Sequence, residues 1–253
     1  MNPVPALARE LLELFLPRAC LGCRDRIPPE DGEGLVCGRC RTRLRPPPPP
    51  RCPRCHLPLG TGSPPGETCL ECMDWPPLLV SARGAVVLEP PADTLVHALK
   101  YGGWEALGAM MGSRMAAVPL PIQGRAVAVP VPTTEQRRRE RGYNQAKVLA
   151  GVVARLRGVP LVEALERPGG RTQVRLGSQE RRRNVAGSFR FRPGLGSRVR
   201  GMEVILIDDV LTTGATALAA VEALKEGGAG SVHLLTFARA LPFAAGDAGG
   251  ARE

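Results

Sequence analysis

The chain has 253 residues, 43 % of them apolar and only 4 % aromatic, enough for one sizeable core and a smaller module but poor in base-stacking side chains. Its formal net charge of +10 comes almost entirely from arginine, which suits anionic partners (nucleic acid, phosphorylated small molecules, anionic lipid) or reflects a coding bias towards Arg, Pro and Ala. No apolar run is long enough to span a bilayer and no signal-peptide pattern is present, so the expected location is cytoplasmic.

The first predicted element is a helix in "ALARELLELFLPRAC", where Leu7, Leu11, Leu14 and Phe15 recur at helical spacing. Its apolar face is short and carries Glu10 and Glu13 nearby. A helix closing a small cysteine-rich core is therefore preferred over one lying peripherally on the inner face of a membrane.

All eight cysteines lie between positions 20 and 72, each in a C-x2-C pair. Cys20 and Cys23 are matched by Cys52 and Cys55, and Cys37 and Cys40 by Cys69 and Cys72, always 32 residues on. Four thiolates suit tetrahedral Zn²⁺, and this usage fits a cytosolic zinc module better than a secreted disulfide scaffold. One or two structural ions are expected. The simplest sets are Cys20, Cys23, Cys37 and Cys40, then Cys52, Cys55, Cys69 and Cys72; spacing equally permits a cross-braced pairing of first with third and second with fourth. His56, next to Cys55, reads as a bystander. Between the halves, "RTRLRPPPPPR" (41–51) is a stiff polyproline spacer. Its arginines either face solvent or touch phosphates.

After Pro77 the pattern changes. Strands are predicted over 82–89, 125–132, 202–210 and 231–239, with a shorter one beginning within 159–167. Helices are predicted in "ADTLVHALKYGG", stopped by Gly102 and Gly103, and over 105–118, 144–158 and 213–229. Alternating apolar strands and helices imply an α/β fold with a parallel sheet covered on both faces. Three regions follow: a zinc-binding module with its helix over 1–77, an α/β domain over 78–240, and a flexible tail over 241–253.

The densest signal is "VILIDDVLTTGATALAA" (204–220). Asp208 and Asp209 stand at the carboxyl end of a buried strand, where open α/β sheets bind ligands. Thr212, Thr213, Gly214, Ala215 and Thr216 form a small, hydroxyl-bearing loop leading into a helix. Such an N-terminus offers unpaired N–H groups and a favourable dipole to a phosphate. Two carboxylates can accept hydrogen bonds from the vicinal hydroxyls of a ribose. Together these groups fit a ribose 5-phosphate. A Walker-type site is set aside, because the loop has neither G-x4-G-K-[ST] nor a lysine.

The run Val204–Thr216 resembles the phosphoribosyl-pyrophosphate (PRPP) motif of type I phosphoribosyltransferases. "RERGYNQAKVLA", "QERRRNVAGSF", "HALKYGG" and the cysteine-rich head further resemble the ComF family, which includes ComFC-like competence proteins. The resemblance implies a type I phosphoribosyltransferase-like sheet. It places Asp208 and Asp209 on the ribose hydroxyls, residues 212–216 on the 5-phosphate, and Pro132, Thr133 and Thr134 near pyrophosphate. Arg137 to Arg141, above all Arg141, would neutralise that anion, and Arg138 belongs to the same run. Tyr143, Asn144 and Gln145 would open the next helix near the site. Residues 168–184 resemble a mobile lid, with Gln173, Arg181 and Asn184 matching the pattern; three residues before Gln173, where the family commonly has Thr, stands Gly170.

The resemblance also implies Mg²⁺ with PRPP, and chemistry in which pyrophosphate leaves ribose C1 through an oxocarbenium-like state. Asp208, Asp209 and Arg141 would stand closest to that chemistry. No base for an acceptor is evident, so the motif speaks for binding more directly than for turnover. Two function classes remain open. One is a protein of DNA uptake and natural transformation that binds single-stranded DNA and works with a competence helicase. The other is an active phosphoribosyltransferase of nucleotide metabolism or salvage, joining PRPP to a nitrogen nucleophile. A PRPP sensor without turnover is compatible with the same residues. For stacking on DNA bases the candidates are Trp75, Tyr101, Trp104 and Tyr143.

Overall fold

A computed structural model describes residues 18–242 except 33, 65 and 169–187. The predicted N-terminal helix (7–15), the tail beyond 242 and the lid residues Gln173, Arg181 and Asn184 lie outside the described residues.

Four strands build the central sheet: β1 (Leu79–Val87), β2 (Ala126–Pro130), β5 (Glu203–Leu211) and β6 (Ser231–Arg239). Their order is β1-β6-β5-β2, and every pairing is parallel. The run Val204-Ile205-Leu206-Ile207 shows why this sequence makes a central strand. Successive side chains point to opposite faces, so a strand buried on both faces must be apolar throughout. Val204 and Leu206 enter one core, Ile205 and Ile207 the other.

Around the sheet lie α3 (Ala92–Tyr101), α4 (Leu107–Ala116), α6 (Gln145–Arg157) and α8 (Ala215–Glu226). Leu95, Leu99, Met111, Met115, Leu149 and Val153 cover the Ile205 face, while Ala217, Ala220, Val221 and Leu224 cover the other. Helices α4 and α6 approach closely because a Cβ on Gly112 would lie 2.6 Å from Val152 Cβ. Among the described residues no helix is long and apolar enough to cross a membrane.

The cysteine-rich head shares these cores. It contributes the short helices α1 (Gly38–Arg43) and α2 (Leu70–Met73). Cys20, Val36, Cys40 and Leu44 pack on the Ile205 face, and Cys52, Cys55, Cys72 and Trp75 on the Val204 face. The head therefore straddles the sheet at its β1 edge. The proline spacer and the turn after it make the crossing: Val87 N–H donates to Arg45 O in the spacer and Ala82 N–H to Arg54 O between Cys52 and Cys55, each at 2.8 Å. A chain segment rich in proline shields an edge without offering a ladder of its own.

Two departures from the sequence reading have plain causes. The strand expected within 159–167 becomes a single parallel bridge, Leu161 to Ala128, followed by a two-residue β3 (Leu165–Glu166) antiparallel to β4 (Arg190–Phe191). A one-turn helix, α7 (Gly196–Val199), follows β4. The arginine run after β2 is the helix α5 (Glu135–Arg141). It holds no apolar residue, so no periodicity reveals it. Its stability is local: Thr134 Oγ1 caps the Arg137 N–H, Glu135 pairs with Arg138 at 2.9 Å, and Gly142 ends it at φ 83°.

Candidate functional site

The eight cysteines form two groups, Cys20, Cys23, Cys37 and Cys40, and Cys52, Cys55, Cys69 and Cys72; within each, the Sγ atoms all lie within 4.8 Å of one another. The pairing is therefore sequential, not cross-braced, and His56 belongs to neither group. Tetrahedral zinc with Zn–S of about 2.3 Å needs S···S edges of about 3.8 Å. Cys23 to Cys37 is 3.8 Å, Cys52 to Cys72 is 3.6 Å and Cys69 to Cys72 is 3.7 Å. Both groups fit a zinc ion. The repeat extends to electrostatics. Burial opposes ionisation of Cys20 and Cys52, yet backbone N–H donors outweigh it and hold each thiol down at about 7. At the matching positions Cys40 and Cys72, burial and the neighbouring sulfurs push the thiols far up.

Strand β5 delivers Asp208 and Asp209 to the carboxyl edge of the sheet. Asp209 is buried, and its Oδ2 lies 2.9 Å from Lys100 Nζ on α3. Asp208 accepts the Asp209 N–H on its own Oδ1 at 2.9 Å. Burial, then the charge of Asp209, pushes the Asp208 carboxyl up to about 7.

The chain then turns through Thr212, Thr213 and Gly214 into α8. Gly214, at φ 79°, is the cap residue. A left-handed cap is the geometry that favours glycine. Exposed Thr212, Thr213 and Thr216 surround the helix N-terminus, and residues 212–216 line a small recess of their own. Behind the loop, Arg239 is buried at the end of β6, with Nη1 3.4 Å from Thr212 O.

Asp208, Asp209, Thr212 and Thr216 open onto a cavity of about 510 Å³. The same cavity is lined by Pro132, Thr133, Arg137 and Arg141, so the diol, phosphate and pyrophosphate candidates converge on one space. Arg141 sits with its guanidinium carbon 4.8 Å from the centre of the Tyr101 ring. Arg138 points elsewhere: it pairs with Glu135 and lines a second cavity of about 800 Å³ across the β2–α5 turn. Pro132, Thr133, Asn144 and Arg167 border both cavities. Asn144 caps α6 through the Ala146 N–H and donates to Val131 O at 3.2 Å, which fixes the turn. Tyr143 donates its hydroxyl to Leu99 O. Gln145 is buried at the cavity wall. Of the aromatic candidates for base stacking, Trp75 is buried, whereas Tyr101 and Trp104 are exposed.

Several cavity residues carried no assigned role in the sequence: Lys100, Asp93 and His97 on α3, and Arg167 after β3. "HALKYGG" stood out as a motif, and the i, i+3 spacing of His97 and Lys100 on a helix was the available signal. Arg239 had none, being the last residue of a buried strand with no partner near it in sequence.

Comparisons with known proteins agree with this geometry. A double zinc ribbon domain model matches residues 11–73 and a phosphoribosyl transferase domain model matches residues 146–243. The chain is 30% identical over 207 residues to the DNA utilization protein YhgH of Salmonella typhi, covering 75% of this chain and 84% of the relative. It is 34% identical over 118 residues to the competence protein ComFC of Bacillus subtilis (strain 168), covering 45% and 44%. A solved allosteric regulatory enzyme of purine biosynthesis overlaps 56% of this chain and 30% of its own at 19% identity, with a TM-score of 0.38. Zinc-ribbon head, phosphoribosyltransferase-type sheet and a 30% likeness to a DNA utilization protein over 84% of that relative's length together place the chain in the ComF family.

Proposed function

We propose that this protein binds PRPP, or a related 5-phosphoribosyl ligand, and acts in DNA uptake or utilisation with single-stranded DNA as a partner. The observation that carries the first half is the convergence of Asp208 and Asp209, Thr212 and Thr216 at the two ends of the loop, and Arg137 with Arg141 on one cavity of about 510 Å³. The carboxylates accept from a cis-diol, the loop and helix terminus hold a dianion, and the arginines meet a second anionic group. Half-buried Asp208 offers the hard oxygen donor that Mg²⁺ takes. When bound with PRPP, that cation would neutralise pyrophosphate charge; the chain's own part is to orient the ribose and exclude water. The names of the relatives and the exposed arginines of α5 support the DNA half. A competence helicase belongs to the same reading as a further partner.

The test is calorimetric titration of PRPP with Mg²⁺ into the zinc-loaded chain and into Asp208→Asn/Asp209→Asn. Saturable binding lost in the variant supports the clamp; equal binding by both sinks it. A second reading, turnover, is favoured by one observation. The 800 Å³ cavity adjoins the ligand cavity across Pro132 and Thr133, leaving room for a second reactant. Pyrophosphate release that requires an added nitrogen nucleophile and disappears in the same variant would support transferase action.

A further inference from the structure

We infer that Trp75 positions the phosphate loop, so that zinc in the second cysteine knuckle sets the order of residues 212–216. The indole leaves little room for a side chain on the loop's cap residue. A Cβ on Gly214 would lie 3.3 Å from Trp75 Cζ2 and 3.7 Å from Leu211 Cδ1. The indole thus lies beside the loop at the very residue that caps α8. The ring is 6 % exposed and shares a core with Cys52, Cys55, Cys72, Leu211 and Ala217.

The indole is fixed in turn by the knuckle. The backbone N–H of Trp75 donates to Cys72 O at 3.2 Å. Arg54, inside the Cys52–Cys55 turn, donates to Cys72 O at 2.8 Å and to Trp75 O and Pro76 O at 2.9 Å each. Its guanidinium carbon lies 6.0 Å from the Trp75 ring centre. The metal that holds Cys52, Cys55, Cys69 and Cys72 together therefore holds both ends of this clamp. Loss of that restraint frees the turn bearing Arg54 and the segment bearing Trp75 together. The first knuckle meets a different wall. A Cβ on Gly22 would lie 3.0 Å from Pro91 Cβ, at the start of α3. The second knuckle is the one that reaches the loop through Trp75.

The consequence for phosphoryl binding rests on the phosphoribosyl reading above; the consequence for loop order does not. The experiment is hydrogen exchange by mass spectrometry on the full, zinc-loaded chain, with zinc counted per chain, for wild type, Trp75→Phe, Trp75→Ala and Cys69→Ser. In Trp75→Ala, exchange over 212–216 is expected to rise about tenfold while α6 keeps its wild-type rate; in Cys69→Ser, where loss of the second ion also weakens the shared core, the rise over 212–216 should exceed that over α6 about tenfold. Trp75→Phe, which keeps an aromatic ring, should stay near wild type. PRPP titration of the same proteins should show about tenfold weaker binding wherever the loop loosens. Unchanged exchange over 212–216 in Trp75→Ala at full zinc content overturns the inference, as does a rise in that variant spread evenly over the whole sheet. If Trp75→Ala does not fold, Cys69→Ser against Cys37→Ser decides, since only the former should loosen the loop. A wild-type chain that binds no PRPP overturns the phosphoribosyl reading and leaves the exchange result to judge Trp75.

Discussion

Lys100 on α3 holds its ammonium 2.9 Å from Oδ2 of Asp209, and the two side chains are 24% and 5% exposed. A carboxylate this buried needs a cation, and removing one partner of such a pair costs about 3 kcal/mol or somewhat more. Lys100→Met is therefore expected to lower unfolding stability by roughly 3 kcal/mol, less whatever the partial exposure of Lys100 screens. Adding Asp209→Asn should recover most of that loss, because no charge is then left unpaired. Chemical denaturation of the two single variants and the double variant gives the coupling. Additive losses would mean that the pair does not act as one unit. The same lysine faces the space assigned to pyrophosphate, so Lys100→Met should also weaken PRPP by about tenfold.

Asp208 gives the site a pH response. Its carboxyl is pushed from the ordinary 3.8 to about 7, by burial first and then by Asp209. The folded chain then holds a proton that the unfolded chain has released. This contribution to stability is fully present below about pH 4 and is lost as pH rises towards 7. Between those limits stability should fall with rising pH, and Asp208→Asn should flatten that slope. Thermal melts at pH 5, 6, 7 and 8 measure it. An unchanged slope in the variant would assign the pH dependence to other groups. If the ionised carboxylate is the one that accepts from the diol, PRPP affinity should climb through the same interval in which stability declines.

Much of this was written locally in the chain. The strand 231–239 appears at its predicted bounds, and the cysteine repeat gave both ligand sets as its simplest pairing. The Asp-Asp and Thr-Thr-Gly segment sits at the carboxyl end of β5, where the apolar run placed it. Local pattern suffices there, because burial on both faces and capping leave marks in neighbouring residues. What stayed hidden depends on contacts distant in sequence or on charge alone. The Trp75–Gly214 contact spans two modules. The Lys100–Asp209 pair joins a helix to a strand far along the chain. Helix α5 lacks an apolar face, and the proline spacer betrays nothing of the β1 edge it covers.

Zinc should be worth more to this chain than to a protein with a detachable head. Structural zinc sites bind with about 10–16 kcal/mol, comparable with the whole stability of a typical domain. Here the two cysteine groups pack into the two opposite sheet cores. Chelation is therefore expected to lower the melting temperature of the entire fold, in one transition rather than a separate early one for the head. Elemental analysis should give two zinc ions per chain, and one in Cys40→Ser or Cys72→Ser. A far-ultraviolet melt left unmoved by full zinc removal would show that the cores stand without the metal.

The arginines of α5 can be sorted by the cavity they serve. Arg137 and Arg141 line the ligand cavity, whereas Arg138 lines the neighbouring one and Arg139 is 77% exposed. If single-stranded DNA tracks this helix, its phosphates should meet the outer pair first. Each phosphate contact contributes about −0.7 to the slope of log K against log salt. Arg138→Glu/Arg139→Glu should then weaken DNA binding and flatten the slope by about 0.7 to 1.4, leaving PRPP affinity within a factor of two. Arg137→Glu/Arg141→Glu should weaken PRPP by tenfold or more. Fluorescence anisotropy with a labelled oligonucleotide from about 50 to 200 mM salt, beside PRPP calorimetry, separates the two. Equal loss of both ligands in both variants would mean that one shared arginine surface serves them. DNA binding untouched by either pair would move the strand to another face of the molecule.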